Sequence, residues 1–176
     1  MKIHHPQTEQ PRIYVACLAA YNNGILHGAW IEATEAWSMW EATRDMLAKS
    51  PIPDAEEWAI HDHEGFASIR INEYDSFERV AELAAFIAEH GALGAELIDH
   101  FCGDLDEARS ALDDRHLGQY QSLADYVQDI TEETTAIPQS LRYYIDWQAM
   151  ARDCELNGDL FTIQTAHDAV HVFAGC

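Results

Sequence analysis

Residues 104–133 read DLDEARSALDDRHLGQYQSLADYVQDITEE, and nine of the thirty are Asp or Glu against only Arg109 and Arg115. Two helix starts are written into this stretch. Asp104 stands three residues before Glu107, and Ser122 three before Asp125. A short polar side chain in that position accepts from the free N–H groups of a helix's first turn. His116-Leu117-Gly118 reads as a break between the two helices. In the second half, Tyr120, Leu123, Tyr126, Val127 and Ile130 recur among the acids. They form an apolar packing face, for a neighbouring subdomain or for a second subunit.

The acids continue upstream. Between residues 54 and 133 there are 21 acids and four arginines, a net of −17. Residues 1–53 contribute −1 and residues 134–176 contribute −3, completing a formal charge of −21. Such a charge repels nucleic acid and anionic membranes and attracts basic surfaces. A high-salt protein would spread its acids evenly, whereas concentration in the middle favours a dedicated acidic face. The chain is 48% hydrophobic, enough to fold in spite of its charge. At 176 residues it holds one domain or two to three small ones. No apolar run approaches the ~18 residues of a membrane helix. MKIHHPQTEQPR shows no apolar signal-peptide core, so a cytoplasmic protein is expected. Cys17, Cys102, Cys154 and Cys176 are far apart and read as buried or free thiols.

Taken in order, residues 12–19 and 25–32 read as strands around Asn23-Gly24, a strong turn signal. Thr34 can cap a helix over residues 35–49, in which Trp37, Trp40, Arg44 and Leu47 share a face. Core packing is the favoured reading of those tryptophans over a ligand pocket. Residues 57–63 alternate as a half-buried strand, and residues 66–71 suit a short strand or a loop. Asp75-x-x-Glu78 has the form of a capping box. The helix it opens should run to His90, with Gly91 as its stop and a second short helix over 92–101. Pro138 fits the first turn of a long helix over 139–156, closed by Asn157-Gly158. Residues 160–165 and 170–173 alternate as a closing hairpin.

Ten histidines invite a metal reading, which the spacing does not support. His61 and His63 share a strand face but have no identifiable third ligand. His167-x-x-x-His171 lacks the glutamate of a zinc helix, and His4-His5 sits in a tail. Phosphate-binding loops and nucleophile motifs are missing as well. No metal, cofactor or catalytic residue is expected, and the protein is not expected to be an enzyme.

Charge suggests a different kind of work. B-DNA carries one negative charge per ~1.7 Å of axis, so a net of 21 matches roughly 36 Å of duplex. Acids four apart on one helix, such as Glu78 and Glu82, advance only about 6 Å each. Several helices must therefore offer their polar faces together.

Three blocks carry a family likeness: residues 11–33 (PRIYVACLAAYNNGILHGAWIEA), 116–133 (HLGQYQSLADYVQDITEE) and 141–173, from LRYYIDWQAMARDCELNGDLFTIQT to VHVF. In this order they resemble the ArdA family of antirestriction proteins. His116 departs from relatives that often carry an aromatic residue before the glycine. The resemblance implies a non-enzymatic inhibitor, carried by mobile DNA, that mimics B-form DNA. It implies an elongated homodimer of three-part α+β subunits, and an antirestriction motif within about 104–133. The expected parts are an N-terminal sheet-plus-helix subdomain (1–72), an acidic short-helix bundle (73–115), and helices with a small antiparallel sheet (116–176).

The implied partner is a type I restriction–modification enzyme, bound through its modification and specificity subunits. The acids expected to meet it are Glu78, Glu82, Glu89, Glu96, Asp99, Asp104, Asp106, Glu107, Asp113, Asp114, Asp125, Asp129, Glu132 and Glu133. The alternative is an acidic adaptor or regulator of another basic DNA-binding protein.

Overall fold

The structure, a computed structural model, describes residues 10–175. The His4-His5 tail, most of the N-terminal stretch and Cys176 lie outside the described residues. Among the described residues, six α-helices accompany two three-stranded antiparallel sheets, an α+β architecture. The chain forms two compact units, Met1–Gly103 and Asp104–Cys176. The acidic segment 73–115 contributes to both.

The first unit is built on β1 (Arg12–Cys17), the central strand of a sheet ordered β2-β1-β3, with β2 at Gly28–Glu32 and β3 at Trp58–Glu64. Ile13, Val15 and Cys17 are fully buried, as the middle strand of a covered sheet requires. The first strand stops two residues short of the expected end. Leu18–Asn22 instead form a helical turn, α1, which Asn23 and Gly24 close by donating to Ala20 and Tyr21 carbonyls. Asn-Gly is thus a turn, but at the end of a helical turn rather than in a two-residue hairpin. A bulge in β3 pairs Tyr14 with Asp62 and Val15 with Ile60, leaving His61 as the extra residue.

Helix α2 (Ala36–Ala48) begins at Glu35, not at Thr34, and no side chain caps it. It buries Met39, Thr43 and Met46. The Trp37–Trp40–Arg44–Leu47 face, expected to be core, is instead open: Trp37 is 67% exposed and Trp40 43%. The two stripes differ by one residue, about 100° of helix, and periodicity alone ranks both as apolar.

Residues 66–71 form a loop whose Phe66, Ile69 and Ile71 are buried. Helix α3 (Phe77–His100) is capped by Ser76, whose hydroxyl accepts from Arg79 N–H at 3.2 Å. Asp75, the expected cap, instead accepts from Asn72 N–H at 2.8 Å. Gly91 breaks α3 where two helices were expected to meet; its φ of +57° and ψ of −137° lie in backbone space that only glycine enters freely. Phe77, Val80, Leu83, Ala84 and Ile87 face the core.

The second unit opens with α4 (Leu105–Ser110), which runs on as a π-helical turn over Ala111–Arg115. His116-Leu117-Gly118, read as a break, is the start of strand β4 (His116–Tyr120). It pairs with β6 (Ala169–Ala174), the centre of a sheet ordered β4-β6-β5, with β5 at Leu160–Ala166. The β5–β6 hairpin is as expected; β4 is hidden in the sequence because its partner lies about fifty residues away and a bulge at Leu117 interrupts its alternation.

Helix α5 spans Leu123–Thr134, and α6 spans Trp147–Leu156. The long helix expected over 139–156 is therefore only its last ten residues. Arg142–Tyr144 form a single 3₁₀ turn, and Asp146 starts α6 by accepting from Ala149 N–H at 2.9 Å. Two tyrosines and an isoleucine before a capping Asp favour that late start. The exposed segment offers no face to bury: Tyr143 is 91% exposed.

Candidate functional site

All fourteen acids singled out from the sequence are exposed. Their layout follows from the helices that bear them. In the first unit, Glu78, Glu82 and Glu89 lie at i, i+4 and i+11 on α3, opposite its buried face. At ~1.5 Å per residue they form a stripe about 16 Å long. Past Gly91, Glu96 and Asp99 are exposed beside the buried Leu97 and Ile98.

In the second unit, Asp104 caps α4, accepting from Asp106 N–H at 3.1 Å and Glu107 N–H at 3.0 Å. This carboxylate has a structural task as well as a charge. Asp113 and Asp114 sit on the π-helical turn. On α5, Asp125, Asp129 and Glu132 form a second stripe at i, i+4 and i+7, with Glu133 beside it. Ser122 accepts from Asp125 N–H at 3.2 Å, and its hydroxyl donates to the Asp125 carboxylate at 2.6 Å.

Few of these charges are neutralised. Asp106 pairs with Arg109 at 3.6 Å, Glu107 with Arg115 at 3.0 Å, and Glu89 approaches His90 at 3.8 Å. The other eleven make no ion pair among the described residues. The first unit holds 17 acids and six bases, a net of −11, and the second holds 14 and four, a net of −10. Each unit thus carries about half of the charge. Sequence density drew attention to the middle of the chain and passed over the exposed acids of the C-terminal segment, among them Asp146, Asp153 and Asp159. Their only signal was residue type, diluted by apolar neighbours.

The apolar residues between the acids have a definite location. Leu123 and Val127 are buried in the core of the second unit with Ala124, Ala151 and Val172, and Tyr120 and Tyr126 pack against that core. The two tyrosine rings meet edge to face at 5.2 Å. Burial, with Tyr120 and Cys154 nearby, pushes the Tyr126 phenol up. Burial, then Asp159 and Asp153, pushes the Cys154 thiol up as well, which leaves it a poor nucleophile. Ile130 stands apart, 40% exposed.

Among the described residues, His61 and His63 pack on aromatic rings. His61 packs edge to face on Tyr21 at 4.8 Å, and His63 on Phe66 at 6.0 Å. No group of three potential ligands occurs among the described residues. Cys17, Cys102 and Cys154 are free thiols. No helix among the described residues is long and apolar enough to cross a membrane.

The surfaces therefore offer stripes of mostly unpaired carboxylates, which suit the binding of a basic partner. A comparison with curated proteins gives no match. The family model described as antirestriction protein (ArdA) matches residues 13–169, nearly the whole chain, and the chain belongs to the ArdA family of antirestriction proteins.

Proposed function

We propose that this antirestriction protein is a DNA mimic. It binds the DNA-binding groove of a type I restriction–modification enzyme, on the modification and specificity subunits, and keeps DNA out. It acts by occupancy and not by catalysis, as a homodimer, and belongs with mobile DNA whose entry it protects. The observation that carries this reading is the fourteen exposed carboxylates, six of which stand in stripes on the outer faces of α3 and α5 and eleven of which make no ion pair among the described residues. Carboxylates spaced by ~6 Å along a helix offer a basic cleft a charge pattern that can stand in for phosphates. They displace the same counterions and meet the same Lys and Arg side chains.

Competition binding tests it. Duplex DNA carrying the recognition site and this protein should exclude one another from a purified type I methyltransferase. Simultaneous binding of both would overturn mimicry and leave an acidic adaptor for another basic protein as the reading.

A further inference from the structure

We propose that a groove on the first unit, lined by Trp37, Trp40 and Trp58, receives an arginine side chain of the basic protein partner. The proposal rests on the reading above for the identity of that partner. The groove encloses about 340 Å³, at the small end of ligand sites and suited to one long side chain.

Two of its three indoles pack on the core. Trp58 stacks on the fully buried Phe77 at 4.5 Å, and Trp40 meets Trp58 and Phe77 edge to face at 5.4 and 4.8 Å. Yet Trp40 is 43% exposed, and Trp37, one turn away, is 67% exposed. Two large indoles held open to water are costly unless something covers them.

Two features select the occupant. Indole faces attract cations, arginine above all. Glu41 and Glu56 line the same groove, and neither makes an ion pair among the described residues. Arg44 also lines it, so two carboxylates against one guanidinium leave the groove net negative. A planar guanidinium stacks on indole and forks onto carboxylates, which a lysine ammonium does not.

In a charge-patterned interface this groove would be the anchor point, of the aromatic-plus-arginine kind that dominates protein–protein binding energy.

The test is a two-dimensional NMR titration of the ¹⁵N-labelled protein with N-acetyl-arginine amide, with the citrulline analogue as neutral isostere. The indole N–H signals of Trp37, Trp40 and Trp58 should shift saturably with arginine and not with citrulline. Those of Trp30 and Trp147 serve as internal controls. Trp37→Ala, a change at an exposed position, and the double change Glu41→Gln with Glu56→Gln should each weaken arginine binding about three- to tenfold. The same Trp37→Ala protein should bind the type I methyltransferase more weakly in the absence of DNA. Equal shifts with citrulline, or none at these three indoles, overturn the proposal. So does an unchanged methyltransferase affinity for Trp37→Ala. If arginine binds and Trp37→Ala weakens enzyme binding while DNA fails to compete, the groove stands and mimicry falls.

Discussion

Nε2 of His116 lies 3.1 Å from Nδ1 of His171, across the paired strands β4 and β6. His116 also packs on Phe173, with ring centroids 4.8 Å apart. One imidazole must donate to the other's lone pair, so the contact requires at least one neutral ring. Burial holds His116 below the usual histidine range, and burial together with the neighbouring His116 does the same to His171. A histidine whose folded value is depressed contributes stability above its ordinary value of ~6.5 and loses it as pH falls through the folded value. The second unit should therefore melt at a lower temperature as pH drops below about 6.5. His171→Asn should flatten that slope, measured by circular dichroism between pH 7 and 5. Neutralising acids on further acidification acts in the opposite direction, by relieving repulsion. An unchanged slope in His171→Asn rules the pair out as the cause.

Distributed charge predicts graded loss. Neutralising Glu78, Glu82 and Glu89 together, or Asp125, Asp129 and Glu132 together, by Gln and Asn should weaken binding to the restriction enzyme in steps. Each lost contact should lower the slope of log affinity against log salt by about one unit at most. Folding stability should hold or rise, because these exposed acids repel one another. Abolition of inhibition by one Glu→Gln change, with no effect from the grouped changes, contradicts the distributed arrangement.

Asp104 separates cap from charge. Asp104→Asn keeps an acceptor for Asp106 N–H and Glu107 N–H, so stability should change little while any charge contribution to binding is lost. Asp104→Ala removes both and should destabilise by about 1 kcal/mol in urea unfolding. Equal stability of the two variants would show that the cap contributes nothing.

Gly91→Ala probes the break in α3. Nothing lies within 4 Å of an added Cβ, so crowding is not the obstacle. The backbone at φ +57°, ψ −137° is, and the substitution should cost about 1–3 kcal/mol. Chemical denaturation measures it. A neutral result would mean that the two helical limbs can realign without loss.

Short-range chemistry was legible. Asp104 and Ser122 cap the helices they were expected to cap, Gly91 divides α3, and the last hairpin forms from its alternation. Each depends on residues within a turn or two, where side-chain type decides the backbone. Neighbouring candidates were harder to rank: Ser76 took the cap expected of Asp75, and α2 starts after Glu35 with no side-chain cap, where Thr34 was expected to supply one.

By itself, then, the sequence determined the family, the α+β class, the charge of −21 and the placement of acids opposite apolar helix faces. These follow from residue identity and spacing of a few residues. The tertiary structure alone decided that His116–Tyr120 is a strand, because its hydrogen-bond partner is β6, far along the chain. It also decided that Met39, Thr43 and Met46, and not the tryptophans, are the buried stripe of α2. A helix with two apolar stripes buries the one its sheet can cover, and that choice is made by the neighbouring strands and not by the helix.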